Sequence, residues 1–382
     1  MKIAERVKTP PFFAMDVLAE ARALERDGRD IVHMEVGEPS HPAPKAAQEA
    51  LTEAMRGGAV MGYTSGLGLP ELREGIAEIY RRRHGLNLDP GRIVVTAGSA
   101  AGITLSFLAL FEAGERLAMA DPAYPCYRNA ATALGVAPVR IGADLATGYQ
   151  PTPTALEAAG PLNGLLIASP ANPTGSMLSR EALNELVSWC APRDVALISD
   201  EIYHGLTYGA DAVSALEMTD EVIVINSFSK YWSMTGWRIG WMVVPERFVR
   251  VLETLAQNLF ICPSHASQIA ALGALTEAGE AEVSRHIEVY ARNRAILLEA
   301  LPGLGFTDIA PSDGAFYVYA GVSGLTADSQ TFSSDLLHKA GVAATPGRDF
   351  DPVRGSGTMR FSYAQSTERI EEAVARLRAF LG

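Results

Sequence analysis

The stretch VIVINSFSKYWSMTGWR, Val222 to Arg238, sets four consecutive β-branched residues against a polar loop that carries a lysine and an arginine. VIVI does not alternate apolar with polar, so as a strand it is buried on both faces, the pattern of a parallel sheet covered by helices. Similar runs recur on either side: IVV (Ile93 to Val95), LAMA (Leu117 to Ala120), LLIA (Leu165 to Ala168), ALI (Ala196 to Ile198) and WMVV (Trp241 to Val244). Between them lie segments of helical pattern. Pro70 to Arg83 has proline in its first turn and Leu72, Ile76 and Ile79 on one side, and Arg180 to Trp189 follows Ser179. The expected fold class is α/β, a mostly parallel sheet flanked by helices.

At 382 residues the chain is long for a single core, so two or three domains are expected. Hydrophobic residues make up 48% and charged residues 20%, a globular rather than a disordered composition. Lys and Arg number 32 against 44 Asp and Glu, a net charge of −12 with no run of basic residues that breaks the acidic balance, so nucleic acid and anionic membranes are not expected as partners. Cys126, Cys190 and Cys262 lie far apart and form no CxxC pair. They signal neither a disulfide framework nor a metal site, and fit a reducing cytoplasm. The opening MKIAERVKTPPFFAMDVL has no signal-peptide core, and no stretch reaches the roughly 18 apolar residues of a membrane span.

The chemistry lies in the segments that come directly after five of the runs. Val95 leads into TAGSAAG, Ala120 into DPAYPCY, Ala168 into SPANPTG, Ile198 into SDEIY, and Ile225 into NSFSKYWSMTGWR. Parallel sheets bind ligands at the carboxyl ends of their strands, where loops converge and helix N-termini point. These loops are therefore expected to face one crevice.

A lone SxSK string reads as a solvated loop, but Lys230 stands just past a buried run, a poor place for an unpaired charge. A lysine in such a crevice can lose its proton and condense with a carbonyl, as Schiff-base enzymes require. Ser227, Ser229 and Arg238 can share a phosphate with the backbone N–H groups of Gly98, Ser99 and Ala100, where TAGSAAG opens a helix. Asp200, at a strand end, either caps the next helix or pairs with a pyridine nitrogen, keeping the ring protonated as an electron sink. Tyr203 falls on the same side as Asp200 if SDEIY is helical. Its phenol and the Asn172 amide would both favour an ionised ring hydroxyl.

Together, SPANPTG, SDEIY, SFSKYWSMTGWRIGW and MRFSYA resemble the fold-type I pyridoxal-phosphate enzymes of the class I/II aminotransferase group, from VGEPS (Val36 to Ser40) to the last helix. The resemblance implies that Lys230 forms the internal aldimine with pyridoxal 5'-phosphate, that Asp200 binds the pyridine nitrogen, that Tyr203 and Asn172 contact the ring hydroxyl and that Tyr124 stacks on the ring. It implies a phosphate held by Ser227, Ser229, Arg238 and the Ser99 and Ala100 amides. Tyr63, in GYTSGLGLPELR, is implied to reach the phosphate of the neighbouring subunit in a homodimer; from the sequence alone it could equally be a core aromatic. Arg360, in MRFSYA, matches the arginine that grips the substrate α-carboxylate as a two-pronged pair, with Asn172 and the Gly37 backbone beside it. The implied layout is a large cofactor-binding domain, residues 46–284, and a smaller α+β domain built from 1–45 with 285–382.

The implied activity moves an amino group from an amino acid to a 2-oxo acid through pyridoxamine phosphate, with ping-pong kinetics and the Lys230 amine as proton carrier. No metal is expected. His204 is read as structural, and Trp232 and Trp237 as packing residues. No lysine or arginine occupies TAGSAAGITL or DPAYPCY, which points towards neutral or apolar amino acids unless Arg348 of TPGRDF or a partner residue supplies a second cation. Phe12 and Phe13 either line the entrance or fasten the N-terminal arm to the partner subunit, and Ser40 and His41 depart from the commoner GEPD pattern. Two alternatives remain. One is β-elimination on the same cofactor, which lacks keto-acid-dependent turnover. The other is a regulatory module, which calls for a DNA-binding domain ahead of motifs that begin by residue 36.

Overall fold

A computed structural model describes residues 1–382. Its strands are β1 (Val32–His33), β2 (Ile93–Thr96), β3 (Arg116–Asp121), β4 (Ala137–Gly142), β5 (Gly164–Ala168), β6 (Ala196–Asp200), β7 (Ile223–Ser227), β8 (Gly240–Val243), β9 (Tyr317–Gly321), β10 (Val342–Ala343), β11 (Thr345–Pro346) and β12 (Thr358–Ser362). The α-helices are α1 (Phe13–Arg26), α2 (Lys45–Arg56), α3 (Pro70–His84), α4 (Ser99–Leu110), α5 (Pro125–Ala133), α6 (Pro153–Ala158), α7 (Arg180–Cys190), α8 (Glu246–Leu259), α9 (His265–Ala274), α10 (Glu277–Gly303), α11 (Ser329–Asp335) and α12 (Thr367–Leu381).

Each of the six apolar runs falls on a strand of one seven-stranded sheet, ordered β2-β8-β7-β6-β5-β3-β4. Each of the six strands that carry these runs divides its side chains between two cores. On one face Val94, Met119, Leu166 and Ile198 meet Phe107 of α4 and Leu252 of α8. On the other, Val95, Leu165, Leu197 and Val224 meet Leu72, Ile76 and Ile79 of α3 and Leu183 and Leu186 of α7. The unbroken apolar runs follow from this two-sided burial, which contributes roughly 1.5–3 kcal/mol for each large side chain fully removed from water. Both expected helices form. Gly85 closes α3 in the left-handed region (φ 68°), and the Ser179 hydroxyl accepts from the Ala182 N–H at 3.2 Å to open α7.

Two features of the sheet differ from the expectation. β8 runs antiparallel to both neighbours, so its amino end, not its carboxyl end, points to the crevice. Arg238, just ahead of β8, reaches the site for that reason. β4 is an additional strand at the sheet edge, paired only with β3 and largely uncovered. Its sequence APVRIG, with Pro138 and Arg140, is tolerable on an edge but does not read as a buried run.

GAFYVYAGV and MRFSYA supply β9 and β12 of a second, antiparallel sheet, ordered β11-β12-β9. β1 pairs in parallel with β10, which binds the N-terminal segment to the C-terminal part. Of the two expected domain divisions, 45/46 falls at the first residues of α2, and 284/285 lies inside α10, an unbroken helix of 27 residues. No helix is long and apolar enough to cross a membrane.

Candidate active site

The loops at the crevice enclose a cavity of about 390 Å³. Of the residues expected to hold cofactor or substrate, all but Gly98, Ser227 and Tyr63 line it. Lys230 donates from Nζ to the Gly37 carbonyl at 2.6 Å. Burial lowers its amine to about 8, helped by the Arg360 and Arg238 charges and opposed by Glu38 and Asp200. A useful fraction is therefore neutral and nucleophilic near physiological pH.

Asp200 ends β6, and its two oxygens have different partners. Oδ1 caps the following turn, accepting from the Ile202 N–H at 3.1 Å, while Oδ2 accepts from the Tyr127 hydroxyl at 2.6 Å. Burial pushes this carboxyl up to about 6, and the bonds from Tyr127 and Ile202 pull against that rise. It is mostly ionised at pH 7. Residues 202–205 form turns rather than a helix, so Tyr203 enters the site by chain reversal, not by helical spacing. Its hydroxyl lies 2.7 Å from that of Tyr317.

At the other end of the cavity, α4 begins after Gly98, which has φ 77° and offers no side-chain cap. A methyl group there would run into the Arg238 guanidinium. Arg238 donates to the Thr235 carbonyl at 2.8 Å. The uncapped N–H groups of Ser99 and Ala100, the Ser229 hydroxyl and Arg238 form an anion cradle at the positive end of the helix. Ser227 does not belong to it, contrary to expectation. Its fully buried hydroxyl donates to the Ile239 carbonyl at 2.9 Å and accepts from the Ser229 N–H at 3.1 Å, so it braces Ser229 from behind.

Arg360, on β12, is only 2% exposed. Nη1 donates to Asn172 Oδ1 at 2.8 Å, which leaves the Asn172 N–H₂ group as the available donor. Nη2 donates to the Glu35 carbonyl and to Thr345 Oγ1, the latter at 3.3 Å. The guanidinium packs over the rings of Tyr317 at 4.4 Å and Phe350 at 4.7 Å, and Nε has no partner. A buried cation whose hydrogen-bond partners are all neutral is suited to an anionic ligand.

Tyr63 is 83% exposed, beside Val60 at 85%, and does not line the cavity of its own chain. Arg348 pairs with Asp328 at 2.8 Å and also stays outside, so it supplies no second cation to the pocket. His41 stacks on His286 at 3.9 Å, away from the cavity. His204 bonds through Nε2 to the Ser169 carbonyl at 3.0 Å, and burial lowers it to about 4, so it stays neutral behind the site. Trp232 packs on Phe228 and Trp241. Phe12 lines the entrance.

Tyr127 and Tyr317 are site residues that sequence reasoning missed. A signal existed for the first: Pro125 opens α5, and Tyr124 and Tyr127 stand three apart across its first turn, with ring centroids at 5.4 Å. Tyr317 lay within the strand-like GAFYVYAGV, but only its packing against Arg360 and Tyr203 gives it a place in the site.

The sequence profile described as "Aminotransferase class I and II" matches residues 29–377. A valine–pyruvate aminotransferase of Mycobacterium tuberculosis is 46% identical over 383 residues, covering 100% of this chain and 98% of that protein. Among solved structures, an aminotransferase from Mycobacterium tuberculosis superposes with a TM-score of 0.97 at 46% identity, over 100% of this chain and 99% of the other. The aspartate aminotransferase of Thermus thermophilus with maleate superposes with a TM-score of 0.93 at 32% identity, over 100% of both chains. Sequence, fold and the chemistry of the cavity agree, and the chain belongs to the class I and II aminotransferases, enzymes that move an amino group from an amino acid to a 2-oxo acid.

Proposed function

We propose that this aminotransferase holds pyridoxal 5'-phosphate on Lys230 and takes an uncharged aliphatic amino acid as its donor. One observation carries the cofactor reading: a lysine with a lowered pKa, a buried carboxylate and an anion cradle face a single cavity. That donor set fits a phosphorylated pyridine aldehyde. When bound, the group supplies the electron sink for a carbanion at the substrate Cα.

The chain's own residues supply the rest. Asp200, ionised above about pH 6, would hold a proton on the ring nitrogen. Tyr203 and the Asn172 amide would donate to the ring oxygen, and Tyr124, which lines the same cavity, would stack on the ring. The Ser99 and Ala100 amides, Ser229 and Arg238 hold the phosphate. Arg360 and the backbone at Gly37 would orient the substrate carboxylate, and the Lys230 amine would take the proton from Cα and carry it to the carbon two bonds away. A homodimer in which Tyr63 reaches the neighbouring subunit's phosphate accounts for an exposed tyrosine in a surface strip with Val60 and Met61. The β1–β10 pairing supports the division into a large unit, 46–284, and a small one, 1–45 with 285–382.

Tyr127→Phe removes a hydrogen bond to ionised Asp200, so the carboxyl should rise further above about 6. Protonated Asp200 no longer holds the ring charge, and activity is lost as pH falls through its pKa. The acidic limb of kcat/KM should move up by about one pH unit. An unmoved limb would overturn the role given to Tyr127.

The donor class follows from the walls. Phe12, Met15, Leu18, Val36 and Ile103 present apolar surface, and the only lysine and arginines lining the cavity are Lys230, Arg238 and Arg360. A second substrate carboxylate would be desolvated without a partner in this chain. Valine, a substrate in the name of the relative at 46% identity, fits that surface. With pyruvate as acceptor, valine should exceed aspartate by at least about 100-fold in kcat/KM. A donor panel read by the cofactor's absorption tests both parts. Preference for dicarboxylates removes the donor proposal, and no absorption change with any amino acid removes the cofactor reading.

A further inference from the structure

The first turn of α1 is capped by a residue 336 positions away in the chain. Phe12, at the N-cap, has no side-chain acceptor. The N–H groups of Phe13 and Ala14 have no acceptor inside the helix. Both donate to the Asp349 carboxylate, at 3.2 Å to Oδ1 and 3.1 Å to Oδ2. Asp349 is fully buried, and its carbonyl accepts from Arg128 of α5 at 2.5 Å. Its negative charge also meets the positive end of the helix dipole.

This cap stands between two parts of the site. α1 and the residue before it carry Phe12, Met15 and Leu18 into the cavity wall, and Phe12 meets the Tyr124 ring edge-on at 5.9 Å. The run that supplies Asp349 also flanks Arg360: Thr345 accepts from its Nη2, and Phe350 lies under its guanidinium. Thr345 to Phe350 thus touches the carboxylate-binding arginine and the apolar wall together.

We propose that Asp349 is a specificity-determining positioning residue, which by capping α1 fixes the apolar wall for the substrate side chain relative to the arginine that holds the substrate carboxylate. This rests on the reading of Arg360 and of the aliphatic donor given above. Asp349 touches no reacting atom and acts only through α1. A cap that served stability alone would weaken all donors alike. One that sets the wall separates donors by side-chain size.

Asp349→Asn keeps the size but replaces one acceptor with an N–H₂ that faces a backbone N–H. In the holoenzyme, kcat/KM for valine should fall about 10-fold through KM, in keeping with the loss of a helix cap. Alanine, whose methyl is too short to need the wall, should lose less than about threefold, with kcat and the cofactor spectrum unchanged. Limited trypsin digestion should cut after Arg22 or Arg26, both exposed in α1, about 10-fold faster than in the wild type. Phe13→Pro deletes one of the two donors at a helix position that tolerates proline, and should shift donor preference in the same direction while adding little to Asp349→Asn. Equal losses for valine and alanine in both variants, or unchanged cutting, overturn the proposal. Digestion needs no turnover, so its result stands whether or not valine proves to be a donor.

Discussion

Replacing Lys230 by alanine will lower transamination by more than about 10⁴-fold and leave the fold intact. The size follows from two losses at one position. The amine is the only lysine nucleophile lining the cavity, and in the proposed mechanism it is also the base that moves the Cα proton, a role worth about 10²–10⁴-fold by itself. The intact fold follows from its pKa. An amine held at about 8 when folded, against an ordinary value near 10.5, disfavours the folded state wherever it is charged. That penalty is fully present below about pH 8 and disappears as pH rises towards the unfolded value, because between the two the unfolded chain binds more protons. Removing the amine removes the penalty. The variant should therefore melt no lower than the cofactor-free wild type at pH 7, while single-turnover absorption shows no reaction with valine. Turnover within tenfold of the wild type would sink the assignment of Lys230.

Lys230 was legible because its surroundings are local in sequence. VIVI announces a strand buried on both faces, and the adjoining loop must face whatever lies at the strand's end. The same logic placed Asp200, Asn172 and the Ser99–Ala100 amides. It failed where the deciding partner is distant. A burial pattern is blind to strand direction, so β8 gave no sign of running against its neighbours. Ser227 and Ser229 look equivalent in SFSK, and only the Ile239 carbonyl across the β7–β8 pair separates the bracing hydroxyl from the one that lines the cavity. Tyr203 arrived in the right place through a turn that helical spacing does not describe. The Asp349 cap on α1, made across almost the whole chain, leaves no periodic trace in either segment.

Arg360→Lys will reduce kcat/KM for amino acids by about 10²–10³-fold, and Arg360→Ala by more. The guanidinium is held flat between Tyr317 and Phe350, with Nη1 and Nη2 fixed on Asn172, Glu35 and Thr345, so its orientation is set before substrate arrives. Lysine retains the charge but loses the planar fork, the ring stacking and the donors that fix it. Truncating one partner of a buried charged pair costs about 2–5 kcal/mol, which is about 30- to 5,000-fold in affinity. Because the carboxylate is present before and during reaction, the loss should fall mainly on KM. Alanine adds a structural cost: Asn172 Oδ1 loses its buried donor, at about 1–3 kcal/mol, while the Glu35 carbonyl keeps the Thr345 hydroxyl. Lysine is therefore the cleaner probe. Comparing valine with isobutylamine, which shares its branched chain but has no carboxylate, isolates the clamp. The wild type should prefer valine strongly, and Arg360→Lys should erase most of that preference by weakening valine and leaving isobutylamine nearly unchanged. If the preference survives the substitution, the carboxylate is held elsewhere, and the neutral shell around Arg360 serves the packing of β12 alone.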